Sequence, residues 1–140
     1  MATRDRRRYS AATIATINTT STSDAYVIAP VNGKLSEALF SAIDALAQHG
    51  SNYLTFSITN LGQAGAGTNA MLGAVDGNTT KTTTGAAIAA NTLRTLTLNT
   101  DASKRTVKKG DRLRIRATAT GTLANTVTGA NFLLTLEKEV

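Results

Sequence analysis

The feature that most constrains this chain is a set of short runs in which apolar and polar residues alternate, clearest at residues 112–119. There Leu113, Ile115, Ala117 and Ala119 share one parity, and Arg112, Arg114, Arg116 and Thr118 take the other. That is the period-2 signature of a strand buried on one face, so the arginine row is expected to point outward. Residues 53–60 repeat the pattern, with Leu54, Phe56 and Ile58 opposite Tyr53, Thr55, Ser57 and Thr59. Near the end of the chain, residues 131–139 turn Phe132, Leu134 and Leu136 to one side. Further strands are expected at 9–17, 24–29 and 91–99, with weaker ones at 69–75 and 86–90.

Between these runs lie turn signals. Pro30 interrupts the second strand, and Asn32-Gly33 is read as a tight turn using positive φ. Residues 61–67 read as a glycine-rich loop, Asp76-Gly77-Asn78 as a turn, and 79–85 as an exposed, low-complexity threonine loop. Residues 104–110 turn the chain into the arginine-row strand, and 121–129 form a second threonine-rich excursion. Residues 34–48 are ambiguous: Leu35, Ala38, Leu39, Ala42, Ile43 and Leu46 fall at helical spacing. The alternative is a strand running from Gly33 to about Ile43, followed by a loop. The β character of the neighbouring segments favours the strand.

Together these readings predict an all-β fold, an antiparallel β-sandwich of jelly-roll-like form with about 8–10 short strands. The expected organisation is a basic, extended arm over residues 1–9 and a single β-sandwich domain over 10–140. Abundant threonine suits the solvated face of a sheet, whereas aromatic residues make up only 4% and tryptophan is absent. With no cysteine, disulfides, thiolate metal sites and cysteine nucleophiles are excluded. No apolar run is long enough to cross a bilayer, and residues 1–20 lack the apolar core of a secretory signal. No membrane association is expected.

The formal charge of +6 is unevenly placed. Arg4, Arg6, Arg7 and Arg8 against Asp5 give +3. Lys104, Arg105, Lys108, Lys109, Arg112, Arg114 and Arg116 against Asp111 give +6, so the remainder carries −3. Such clustering points to an acidic partner. The arginine row also has an ordinary structural reading, in which Arg114 and Arg116 form cross-strand pairs with Glu137 or Glu139. Asp111, after Lys109-Gly110, is expected to accept backbone amide hydrogen bonds in the turn.

Residues that could carry chemistry are sparse. Gly65-Ala66-Gly67-Thr68-Asn69-Ala70 matches a dinucleotide fingerprint, but that motif needs a following helix and an acid about twenty residues on. Gly73 and Gly77 interrupt any such helix, and 86–90 contains no acid. His49 is the only imidazole, so a His-based metal site or catalytic triad lacks partners. The carboxylates are scattered. No enzyme activity, cofactor or metal site is expected.

Residues 29–35 (Ala-Pro-Val-Asn-Gly-Lys-Leu), 52–62 (Asn-Tyr-Leu-Thr-Phe-Ser-Ile-Thr-Asn-Leu-Gly) and 107–113 (Val-Lys-Lys-Gly-Asp-Arg-Leu) resemble those of small jelly-roll bacteriophage capsid decoration, or cement, proteins. The resemblance spans roughly residues 25–116 and leaves out the basic first eight. It implies a virion protein, made in the host cytoplasm, that binds the exterior of the capsid as a homo-oligomer, a trimer. Its partner would be the major capsid protein through an acidic surface. The arm is read here as the anchor, with Arg4, Arg6, Arg7, Arg8 and Tyr9 as capsid-binding residues. The basic segment from Lys104 to Arg116 is a second candidate interface. Alternatives are a small coat protein whose arm faces nucleic acid, and a tail or fibre module that binds carbohydrate. Four arginines and few stacking aromatics argue against nucleic acid as the partner.

Overall fold

The computed structural model describes residues 6–73 and 76–139. Nine strands are present among them: β1 (Arg7–Ile17), β2 (Thr22–Ile28), β3 (Gly33–Ser41), β4 (Tyr53–Asn60), β5 (Asn69–Ala70), β6 (Arg94–Thr95), β7 (Thr106–Val107), β8 (Arg112–Thr120) and β9 (Val127–Lys138). They form two antiparallel sheets, one in the order β1-β9-β3-β6 with β7 also on β3, the other β2-β8-β4-β5. Setting the two-residue β7 aside, the pairs β1/β9, β2/β8, β3/β6 and β4/β5 form one long antiparallel ribbon rolled into two layers. This is the order of a jelly roll, and the expected fold class is the one observed.

Alternation explains the layers. Leu113, Ile115 and Ala117 of β8, Leu54, Phe56 and Ile58 of β4, and Phe132, Leu134 and Leu136 of β9 all lie in the core. The three phenylalanines meet at its centre, with ring centroids 4.7 Å apart for Phe40 and Phe56, 5.2 Å for Phe40 and Phe132, and 5.9 Å for Phe56 and Phe132. They knit together a core otherwise made of aliphatic side chains, leucine and isoleucine above all.

Residues 33–41 are strand, and the helical spacing has a local cause. A register shift against β9 between Leu35 and Glu37 moves the inward parity by one residue. Leu35 therefore points inward, and then Ala38, Phe40 and Ala42, whereas Ile43 is exposed. A β-bulge thus imitates an i, i+3 step. Gly33 does not take the positive φ expected of it. Its role is close approach: a Cβ there would collide with the Glu137 carbonyl on β9.

Other expectations need correction. The predicted arm of residues 1–9 overlaps β1, because Arg7, Arg8 and Tyr9 stand opposite Glu137, Leu136 and Thr135 of β9. Arg4 lies outside the described residues. The threonine loop at 79–85 is not simply exposed: Thr79 and Thr80 are buried. The Leu54 amide donates to Thr80 Oγ1 at 2.9 Å, and Thr79 Oγ1 and the Thr80 amide donate to the Leu54 carbonyl, so this loop completes the edge of β4. Among the described residues, the strands expected at 69–75 and 91–99 are two residues each plus one bridge between Leu72 and Leu98, with residues 74 and 75 outside the described residues, and 86–90 is one bridge between Ile88 and Leu46. Conversely, β9 starts at Val127, inside the predicted 121–129 excursion.

Candidate functional site

The jelly-roll order brings the two basic segments together. One end of the sandwich collects the start of β1, the end of β9, the start of β3, β7, the turn into β8 and the end of β2. In one cross-strand row Arg7, Glu137, Lys34 and Thr106 stand side by side. In the neighbouring row Lys138 stands opposite Gly33, and its amide donates to the Arg6 carbonyl at 2.8 Å. A shallow depression of about 280 Å³ opens there between Arg6, Lys34, Glu137, Lys138 and Glu139. Lys34 and Lys138 join the site although neither was singled out from sequence. Only the strand order places them beside Arg6 and Arg7.

The lysine turn is held rigidly. Asp111 is 7% exposed; its Oδ2 accepts from the Lys108 amide at 2.8 Å and from Asn60 Nδ2 at 3.0 Å, as its place in the turn predicted. The Lys109 amide donates to Asn32 Oδ1 at 2.8 Å, and Gln63 Nε2 donates to the Lys109 carbonyl at 3.1 Å. Gly110 sits at φ +96°, a conformation that favours glycine. The backbone is thus fixed by its neighbours, while the Lys104, Lys108 and Lys109 side chains are exposed. Such a turn presents its charges from a backbone that has little left to order on binding, so the remaining cost lies in the lysine side chains.

The remaining cations divide by what they touch. Arg105 is half-buried and donates from Nη1 to the Leu35 carbonyl at the β3 bulge, 2.8 Å away. Arg112 is exposed and stacks over the Tyr26 ring, 4.1 Å from its centroid. Arg114 lies half-buried between Tyr26 and Thr59. Arg116 makes a bidentate pair with Asp24 on β2, at 2.7 and 2.8 Å. The expected pairing with Glu137 or Glu139 does not occur, because β8 and β9 lie in different sheets. The Arg116 hydrogen bonds hold the Asp24 carboxyl below its ordinary value, against a smaller opposing effect of burial. Asp24 in turn raises Arg116.

At this end Arg6, Arg7, Arg8, Lys34, Lys104, Arg105, Lys108, Lys109, Arg112 and Lys138 stand with Asp101, Asp111, Glu137 and Glu139, a surplus of six positive charges. Arg114 and Arg116 continue along β8 away from it. His49, by contrast, organises its own loop: Nδ1 accepts from the Ser51 and Asn52 amides at 3.1 and 2.9 Å. The Gly65–Ala70 motif leads into β5 and not into a helix, so it lacks the geometry of a dinucleotide site. Among the described residues, no group of three or more His, Asp or Glu side chains could hold a metal ion, and no helix is long and apolar enough to cross a membrane.

No protein-family model matches the chain, and no curated protein matches its sequence. Solved structures do. A xylan-binding module, CBM15, aligns over 95% of this chain and 86% of its own, with 14% identity and a TM-score of 0.51. A chain of infectious bursal disease virus, Gx strain, aligns over 95% of this chain with 15% identity and a TM-score of 0.49. This chain spans about a third of the length of that viral chain. At this identity the likeness to the xylan-binding module speaks to the fold alone.

Proposed function

We propose that this chain is a structural protein of a phage virion, one that docks on the exterior of the capsid shell through its basic end. The observation that carries the reading is the convergence there of two cationic segments about a hundred residues apart in sequence, beside Lys34 and Lys138. Gathering like charges on one end is unfavourable for an isolated chain, and an acidic partner relieves it. The partner proposed is the major capsid protein. Contacts repeated over a shell lattice add avidity that a single weak contact lacks. The chain acts in this reading by binding alone, with no catalysed reaction. Nucleic acid is a rival acidic partner, and the test separates the two.

Purified protein is mixed with preformed empty shells, and bound copies are counted after sedimentation. Arg6→Glu, Lys108→Glu and Lys109→Glu combined are expected to lower occupancy by about tenfold or more, and added salt to weaken wild-type binding. Lys81→Glu is the control, since Lys81 lies over the Tyr53 ring, outside the basic end. Undiminished occupancy in the triple variant overturns the proposal. So does tight, steeply salt-dependent binding to free DNA or RNA without binding to shells.

A further inference from the structure

We propose that β1 is a seam along which two copies of this chain pair, strand to strand, about a twofold axis. The end strands of a sheet present unpaired N–H and C=O groups, and native folds shorten, charge or cover such edges. Three edges here follow that rule: β5, β6 and β7 are two residues each. β2 carries Asp24 and runs toward Pro30. Past Arg7 and Arg8, β1 does not follow it. It is eleven residues long, it pairs with β9 alone, and residues 10–17 contain only Ser, Ala, Thr and Ile.

A second observation falls on the same edge. An apolar groove of about 300 Å³ crosses the outer face of this sheet from Ala11 and Thr13 past Leu133 and Leu39 to Leu93. Ala11, Leu133, Leu39 and Thr95 form one register row across β1, β9, β3 and β6. Leu93, at the far side, is 64% exposed. A strand added beside β1 continues this apolar surface past the sheet edge, where β2 of the other sheet also comes close.

The charge distribution selects a second copy in antiparallel alignment. Parallel alignment would set two Arg6–Arg8 clusters side by side. Antiparallel alignment separates them by the length of β1, about 34 Å at the usual rise per residue. With Ala12 on the axis, Arg7 stands against the partner's Ile17, Tyr9 against the partner's Ala15, and Ala11 against the partner's Thr13. No like charges face each other along the seam. The seam is independent of the basic-end reading, since shell binding and self-pairing can each fail alone.

The test is the solution mass of the full chain at tens of micromolar, by light scattering or sedimentation, together with amide hydrogen exchange over residues 10–17. A mass of twice 14.6 kDa is expected, with exchange slowing as protein concentration rises. Ala11→Lys with Thr13→Lys sets like charges opposite one another across the seam, and both sites are solvent-exposed in the monomer. That variant is expected at the monomer mass, with an unchanged circular dichroism spectrum. A wild-type monomer without concentration-dependent protection overturns the proposal. A trimer or dimer that survives the double lysine variant overturns it, and so does protection of 10–17 that appears only on shells, which would assign the edge to an arm of a different protein. Should the variant fail to fold, the wild-type exchange measurement decides alone.

Discussion

At the scale of single residues, local chemistry decides which charges face a partner and which serve the fold. Arg112 and Arg116 are four positions apart on one face of β8, yet Arg116 is neutralised by Asp24 while Arg112 lies on an exposed tyrosine. The strand parity of both was readable from sequence, but not the partner, since Asp24 is 92 residues from Arg116. Because Asp24 titrates lower in the folded state than in the unfolded chain, its ionised form favours folding. That contribution is complete above the ordinary value of 3.8 and is lost as pH falls through the lower folded value. Asp24→Asn is therefore expected to lose less stability than wild type between pH 5 and pH 2, by about 1 kcal/mol or less in urea titrations. Equal losses in both proteins would show that the pair contributes nothing.

At the scale of elements, the irregular segments depend on a few polar side chains. Arg94 illustrates this. Its guanidinium donates to the carbonyls of Gly77 (3.1 Å), Thr79 (2.8 Å) and Ala86 (2.9 Å), pinning the loop that completes the β4 edge. Burial pushes its pKa down, but three carbonyl acceptors compensate the charge. In the sequence Arg94 is simply one residue of the strand expected at 91–99. Removing it in Arg94→Met is expected to cost roughly 2–3 kcal/mol and to speed amide exchange between residues 77 and 86 well before global unfolding. Exchange confined to wild-type rates in that loop would contradict the clamp. The β3 bulge teaches a related lesson, since one extra residue in a strand was enough to give residues 35–38 a helical spacing.

At the scale of the whole molecule, the two sheets are joined through a core in which only three side chains are aromatic. Phe40 contacts both of the others and belongs to β3, whereas Phe56 lies in the opposite sheet. Phe40→Ala is expected to destabilise the fold by about 3–5 kcal/mol, and Phe40→Leu by clearly less, because leucine refills most of the space. Equal costs, read from chemical denaturation, would mean that the cluster is not the centre of the core. The sequence by itself determined that the chain is β, which faces of its longest strands are apolar, and that its positive charge lies in two segments. Alternation and side-chain size are local properties, so a linear reading recovers them. What only the tertiary structure decided is that those two segments occupy one end, that Lys34 and Lys138 join them, and that residues 10–17 of β1 are left as an uncharged edge. Each of these depends on strand order, and strand order is set by contacts between residues far apart in the chain that no local pattern records.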